Sequence, residues 1–149
     1  MESKSNSAKI IKLFLRFALS AGFLSAVADR FGLWSNDVSV WGNWANFLDY
    51  TQLLMPWAPE SLIPMFGFTA TALEIIFALL LIAGFKTELV AKLSGFLLLL
   101  FALSMTFSTG IKGAFDYSVF SAAAAAFALN LMKHKYYELD LLLGKSKTG

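Results

Sequence analysis

From Pro64 to Phe85 the chain carries a single ionisable side chain, Glu74, and from Leu89 to Ile111 again a single one, Lys92. Each stretch is as long as the roughly 20 residues of apolar helix that a bilayer's hydrocarbon core requires. A chain of 149 residues has too much surface for its volume to hide two such segments in a water-soluble fold. The composition agrees: charged residues make up 15%, against about 25% in soluble domains, and the mean hydropathy is +0.66. In lipid, backbone N–H and C=O groups must be satisfied within the segment, which selects helices. The fold class expected is therefore an all-α integral membrane protein.

Two further segments complete a four-helix bundle. Ala114 to Met132 has Asp116 in its first turn and the run Ala122 to Ala126, read as a packing face because small residues let membrane helices approach closely. Ile10 to Leu33 is interrupted by Lys12, Arg16, Asp29 and Arg30, and its uncharged heart, Phe17 to Ala28, spans only if Lys12 and Arg16 snorkel to one surface. The same segment also reads as a signal peptide, with Lys9, Lys12 and Arg16 before an apolar region and Ala26-Val27-Ala28 as a cleavage site. On the first reading, one transmembrane domain covers residues 1–149, with spans at about 10–33, 64–85, 89–111 and 114–132.

All four tryptophans, Trp34, Trp41, Trp44 and Trp57, fall between the first two spans. Over about 40–55 the apolar positions Val40, Trp41, Trp44, Phe47, Leu48, Thr51, Leu54 and Met55 recur at helical spacing, with Asn43, Asn46 and Asp49 toward the other side. This predicts an amphipathic helix in the membrane interface of the first external loop, ended by Pro56 and Pro59. Trp41 and Trp44 make it either a cap on the bundle or a platform for a ligand or partner.

Several functions are excluded. There is no cysteine, hence no disulfide framework, thiolate zinc site or iron–sulfur cluster. The one histidine, His134, stands between Lys133 and Lys135 as a solvated interfacial residue, so no bis-histidine haem can form within the chain. A net charge of +2 without a basic stripe gives no nucleic-acid surface. No metal site is expected, and the partner that the composition implies is the lipid bilayer. Lys4, Lys9, Lys12, Lys86, Lys92, Lys133, Lys135, Lys145 and Lys147 flank one side of the spans, while Asp37, Asp49 and Glu60 occupy the long first loop. The positive-inside rule then places both termini in the cytoplasm and the tryptophan loop and Lys112 outside a multi-pass protein.

Glu74 is the most informative residue. A carboxylate at mid-bilayer costs about 2.5–3.5 kcal/mol on insertion scales, so it faces the bundle interior, finds a partner or is kept protonated. Helix side chains lean toward their own N-terminus. Glu74 therefore leans outward, while Arg30, at the outer end of an oppositely running span, leans inward toward it. Arg16 leans away toward the cytosol, although its fourteen-residue spacing from Arg30 puts both on one face. Arg30, Glu74, Asp116 and Tyr117 converge on an outward-opening pocket, read either as an ion-pair network fixing helix register, with Asp116 an N-cap, or as a ligand or proton site. Thr69, Thr71, Ser94, Ser104, Thr106, Ser108 and Thr109 are expected to bond to helix carbonyls or neighbouring helices.

The order of these features, from Arg16, Ala21-Gly22 and Arg30-Phe31-Gly32, through Leu73-Glu74-Ile75 and the Leu-rich run to Gly84, to Lys112 with Asp116-Tyr117-Ser118-Val119 opening an alanine-rich helix, resembles the DoxX family of small membrane proteins. The resemblance runs from about Leu13 to Met132. It implies a four-helix bundle in the cytoplasmic (inner) membrane and a connection to quinone-linked oxidoreduction. The long tryptophan loop departs from the family pattern, as does Asp29, which stands beside Arg30 and partly neutralises it on this reading. The leading functional expectation is an auxiliary subunit of a membrane redox system that binds a quinone or similar amphiphile. Glu74 would exchange a proton near a quinol hydroxyl, Arg30 would orient it and Tyr117 would donate a hydrogen bond. The chain has no intrinsic redox group, so an electron carrier must come from a redox partner protein or a bound cofactor. The alternatives are an assembly protein docking a partner through the tryptophan loop, and a small transporter, which would need a homo-oligomer.

Overall fold

The helices present an inside-out polarity. Phe107 is 84% exposed and Phe14 69%, whereas Lys12 and Arg16 are at most 1% exposed. Apolar rings outside and charged heads inside are the reverse of a soluble fold, and in a bilayer both find their preferred surroundings. The computed structural model describes residues 2–145, and side chains from 6 to 142. Met1 and Lys147 lie outside the described residues, as do the side chains of Lys4 and Lys145.

All regular structure among the described residues is helical, with no strand: α1 (Glu2–Arg30), α2 (Trp44–Leu54), a 3₁₀ turn (Glu60–Leu62), α3 (Ile63–Ala83), α4 (Thr87–Thr109), α5 (Ile111–Asp116), α6 (Val119–Leu131) and α7 (Leu139–Lys145). α1, α3 with its preceding turn, and α4 are long and apolar enough to cross a membrane. The segment expected as one span over 114–132 is divided: α5 ends at Asp116, Ser118 adopts a left-handed φ of 55°, and α6 runs for 13 residues. At 1.5 Å per residue α6 covers about 20 Å, short of a roughly 30 Å core. A broken helix is tolerated at membrane depth where it borders protein or a cavity.

Local chemistry sets the boundaries. Pro64 occupies the first turn of α3, where its missing N–H costs nothing. Gly84, at φ 69°, closes that helix with bonds from its own N–H to Leu81 O and from Phe85 N–H to Leu80 O, a Schellman pair. The chain turns within Gly84–Lys86 into α4, so α3 and α4 are antiparallel neighbours. α2 starts later than the periodicity predicts, because the Asn43 side chain accepts from Asn46 N–H and caps it. Val40 is exposed in the loop instead of on the helix's apolar face.

The helices form two pairs, with the most extensive contacts between α4 and α6 and between α1 and α3. In the first pair Gly95 lies under the Phe127 ring, where a β-carbon would come within 2.7 Å of it. Ala123 and Ala126 of the alanine run are buried, as a packing face requires. The two pairs meet in one apolar core, with Leu19 and Phe23 of α1, Leu81 of α3, Ala91 of α4 and Leu129 of α6. This core lies toward the lysine-rich end, near the α3–α4 turn. At the tryptophan-rich end, α2 packs across the bundle, and Gly67 of α3 makes room for Leu48, 2.7 Å from where a β-carbon would sit.

Candidate functional site

α1 delivers Arg30 as its last residue, and α3 delivers Thr71 and Glu74, three positions apart and so on one face. Both guanidinium nitrogens Nη1 and Nη2 donate to the Glu74 carboxylate, Nη2 to Oε1 at 3.0 Å, and Nη1 also donates to Thr71 Oγ1 at 2.7 Å. The pair is 3% and 2% exposed. A desolvated ion pair survives only with good geometry and further satisfied bonds. The fork geometry meets the first need, and Thr71 with the ring of Phe47, whose centroid is 4.1 Å from the guanidinium carbon, helps to meet the second. The Trp41 ring lies 5.3 Å from the same carbon. Two buried donors here have no acceptor among the described residues: Arg30 Nε and Trp41 Nε1.

Asp29 organises the loop above. Its carboxylate accepts from Ser39 Oγ and from the backbone N–H of Val40 at 2.9 Å and Trp41 at 3.0 Å. Asp29 is thus engaged by the loop and does not neutralise Arg30 as the sequence suggested. It draws Trp41 back over the end of α1, where the indole meets Phe47, at 5.3 Å between centroids, and Tyr50, at 5.9 Å.

Beneath this roof lies a cavity of about 1210 Å³ between the two helix pairs. Gly22 and Ala26 of α1 and Leu73 and Glu74 of α3 line one side, Phe101 and Ser104 of α4 and Ala122 and Ala125 of α6 the other. Trp41, Phe47, Tyr50 and Leu54 close the top, and the lining is largely apolar. Lining residues that are themselves exposed, Gly22 and Ser25 of α1 with Ser121 of α6, and Thr69 of α3 with Leu100 of α4, open the cavity to the flanks of the bundle. Burial, and after it the neighbouring Tyr117, pushes the Tyr50 phenol above its usual range. Its hydroxyl is therefore a donor at neutral pH.

Of the residues expected to converge, Arg30, Glu74 and Tyr117 line this cavity. Asp116 does not. It ends α5 instead of capping a span, and it pairs with Lys112 one turn earlier on an exposed surface. Trp41 lines the cavity, whereas Trp44 stacks on Phe31 at 5.8 Å. Arg16 belongs to the opposite end. It leans toward the lysine-rich end, as its place on the helix predicts, but instead of snorkelling to the surface it is buried and donates to four backbone carbonyls: Leu81 and Ile82 at the end of α3, and Tyr136 and Tyr137 of the tail. Lys12 is likewise drawn inward, to Met132 O, His134 O and Glu138, whose carboxylate is 2.5 Å away. The Arg16 guanidinium and Glu138 crowd Gly84 so closely that a β-carbon there would come to 2.6 Å of Arg16 Nη2.

Sequence reasoning missed Thr71 as a ligand of Arg30, Asp29 as the loop clamp and Glu138 as the counter-ion of Lys12. Thr71 was findable, because it lies one turn before Glu74 on α3. Glu138 carries no such signal, since its place depends on the tail folding back. The hydroxyls of Thr106, Ser108 and Thr109 bond to Ala102 O, Leu54 O and Met105 O, as expected of membrane hydroxyls, whereas buried Ser94 Oγ has no partner among the described residues. No family model matches the chain, and comparison with curated proteins and with solved structures gives no match.

Proposed function

We propose that this membrane protein binds an amphiphile taken from the bilayer, in the cavity between its two helix pairs. The observation that carries the reading is a large, mostly apolar, laterally open cavity whose wall holds one buried Arg–carboxylate pair. Apolar cavities with a few convergent polar groups are the usual form of small-molecule sites, and lateral openings suit a ligand dissolved in lipid. The unmatched donors Arg30 Nε and Trp41 Nε1, with the phenols of Tyr50 and Tyr117, favour a head group that offers acceptor oxygens.

The resemblance to the DoxX family narrows the class to a quinone and the setting to an auxiliary subunit of a redox system in the inner membrane. A quinone's carbonyl oxygens suit that donor set and its isoprenoid tail suits the apolar lining. When bound, it supplies the electron-carrying chemistry that the chain lacks. The chain's own residues would then hold and orient it: Trp41, Tyr50 and Tyr117 by donating hydrogen bonds, Arg30 and Glu74 by fixing the α1–α3 wall. A redox partner protein would supply or take the electrons.

Three of the four tryptophans line the cavity, so binding is readable without a label. Titrating a short-chain quinone into detergent-solubilised protein is expected to quench tryptophan fluorescence saturably. Ala122→Phe, which fills the cavity without touching the ion pair, is expected to abolish saturation. Linear, non-saturating quenching in both proteins would refute the reading. The lysine-rich end is assigned to the cytoplasm by its charge. An impermeant thiol reagent added from outside is expected to label Ser35→Cys and not His134→Cys, and the reverse pattern would invert the topology.

A second reading has its own observation. Leu33, Val38 and Trp57 form exposed apolar surface on the first loop, Trp57 at 75% exposure. That surface suits a protein partner as well as the lipid interface. Leu33 is exposed and lies outside the cavity lining, so Leu33→Ala separates the two roles: loss of complex formation with quinone quenching intact assigns the loop to docking.

A further inference from the structure

At the lysine-rich end, the tail after α6 is held from within. Lys12 and Arg16 take the carbonyls of Met132, His134, Tyr136 and Tyr137, and Lys12 takes the Glu138 carboxylate. This clamp fixes what the tail turns outward. Between it and the start of α1 runs a groove of about 550 Å³, lined by Lys9 of α1, Lys135 and Tyr136 of the tail, Ala83 at the end of α3, and Leu141 and Leu142 of α7.

The groove combines two chemistries. Its cations are under-matched. Lys9 makes no ion pair among the described residues and stands 5.3 Å over the Tyr136 ring. Lys135 meets Asp140 only at 3.6 Å, and the two oxygens of that carboxylate also accept from the Lys86 backbone N–H. Glu138, the one carboxylate in the lining, is buried against Lys12 and offers nothing outward. Its apolar part is exposed: Leu142 is 67% exposed on α7, and Ile10, Ile11 and Phe14 continue an apolar surface along α1.

We infer that this groove is a binding site for an anionic phospholipid, whose phosphodiester bridges Lys9 and Lys135 while its acyl chains lie along Leu142 and the outer face of α1. The charge complementarity is local, one ammonium group without an ion pair among the described residues and a second paired only with Asp140 at 3.6 Å, and the depth is that of a head group, since Lys9 lies at the polar start of a spanning helix and tyrosines flank it. Basic pockets at helix ends bind anionic head groups by this combination. The lipid would tie the tail to α1 from outside where Lys12 and Arg16 tie it from inside. The inference is independent of the cavity's ligand.

The test is competitive lipid retention, read by native mass spectrometry of the full chain exchanged into mixed phosphatidylglycerol and phosphatidylcholine. The wild type is expected to retain phosphatidylglycerol in roughly thirtyfold preference, the scale of two ammonium groups acting together. Lys9→Gln with Lys135→Gln is expected to lose the preference, and Lys9→Arg with Lys135→Arg to keep it. Both positions lie outside the buried clamp, so folding is monitored by an unchanged helical circular dichroism spectrum, and the arginine pair serves as a folded control. No preference in the wild type, or an unchanged one in the glutamine pair, overturns the proposal. Equal displacement by millimolar inorganic phosphate overturns the lipid assignment in favour of a free anion.

Discussion

Arg30 and Glu74 are each the reason the other can be buried. A charge deep in a membrane bundle is costly alone, and the bidentate pair with Thr71 and the Phe47 ring offsets that cost. Removing one partner leaves the other charged and unmatched, so Arg30→Ala and Glu74→Ala are each expected to destabilise the protein by about 3–5 kcal/mol. The apolar pair Arg30→Met with Glu74→Leu is expected to recover most of that loss, because neither charge then remains. Unfolding of the four proteins in one detergent checks this, and equal, mild losses in both single variants would dissolve the pairing. The pair was legible in the sequence through depth and side-chain lean alone. Arg16 was not, because its acceptors are backbone carbonyls, and a carbonyl has no residue type by which a sequence reader can find it.

Among the elements, the first loop and the fourth expected span, divided into α5 and α6, differ most from their sequence reading, for different reasons. The amphipathic period correctly marked Phe47 as buried and Asn46 and Asp49 as exposed. It ran too far toward the N-terminus because Asp29, in the preceding helix, captures the N–H groups of Val40 and Trp41. A long-range clamp of this kind leaves no periodic trace. Its loss is expected to free the loop: Asp29→Ala removes the acceptor for two backbone N–H groups and one hydroxyl, at about 1–3 kcal/mol for the groups left unsatisfied. Limited proteolysis should then cut between residues 31 and 43 several times faster than in the wild type, with the helices untouched. An unchanged cleavage rate would show that the loop is held by its aromatic contacts instead. The break at Ser118 was equally hidden, since serine carries none of the glycine or proline signal that marks such a turn.

On the scale of the whole molecule, the apolar runs were enough to predict an all-helical membrane bundle, because no other architecture accommodates them. The gap between the helix pairs was not legible. It depends on which pairs of helices pack closely, α4 on α6 and α1 on α3, and on how little the two pairs share beyond the core at the lysine-rich end. Polar groups then divide by end: a carbonyl-and-carboxylate clamp on Lys12 and Arg16 closes one, and Arg30 with Glu74 borders the cavity at the other. The central claim is that this cavity holds a bilayer amphiphile. The direct test is mass spectrometry of small molecules that co-purify in mild detergent, comparing wild type with Glu74→Gln and Ala122→Phe. The account expects a discrete amphiphile retained by the wild type, weakened by Glu74→Gln and absent from Ala122→Phe. An empty wild type, or equal retention in all three, would contradict it and leave the Arg30–Glu74 pair as a structural tie between α1 and α3.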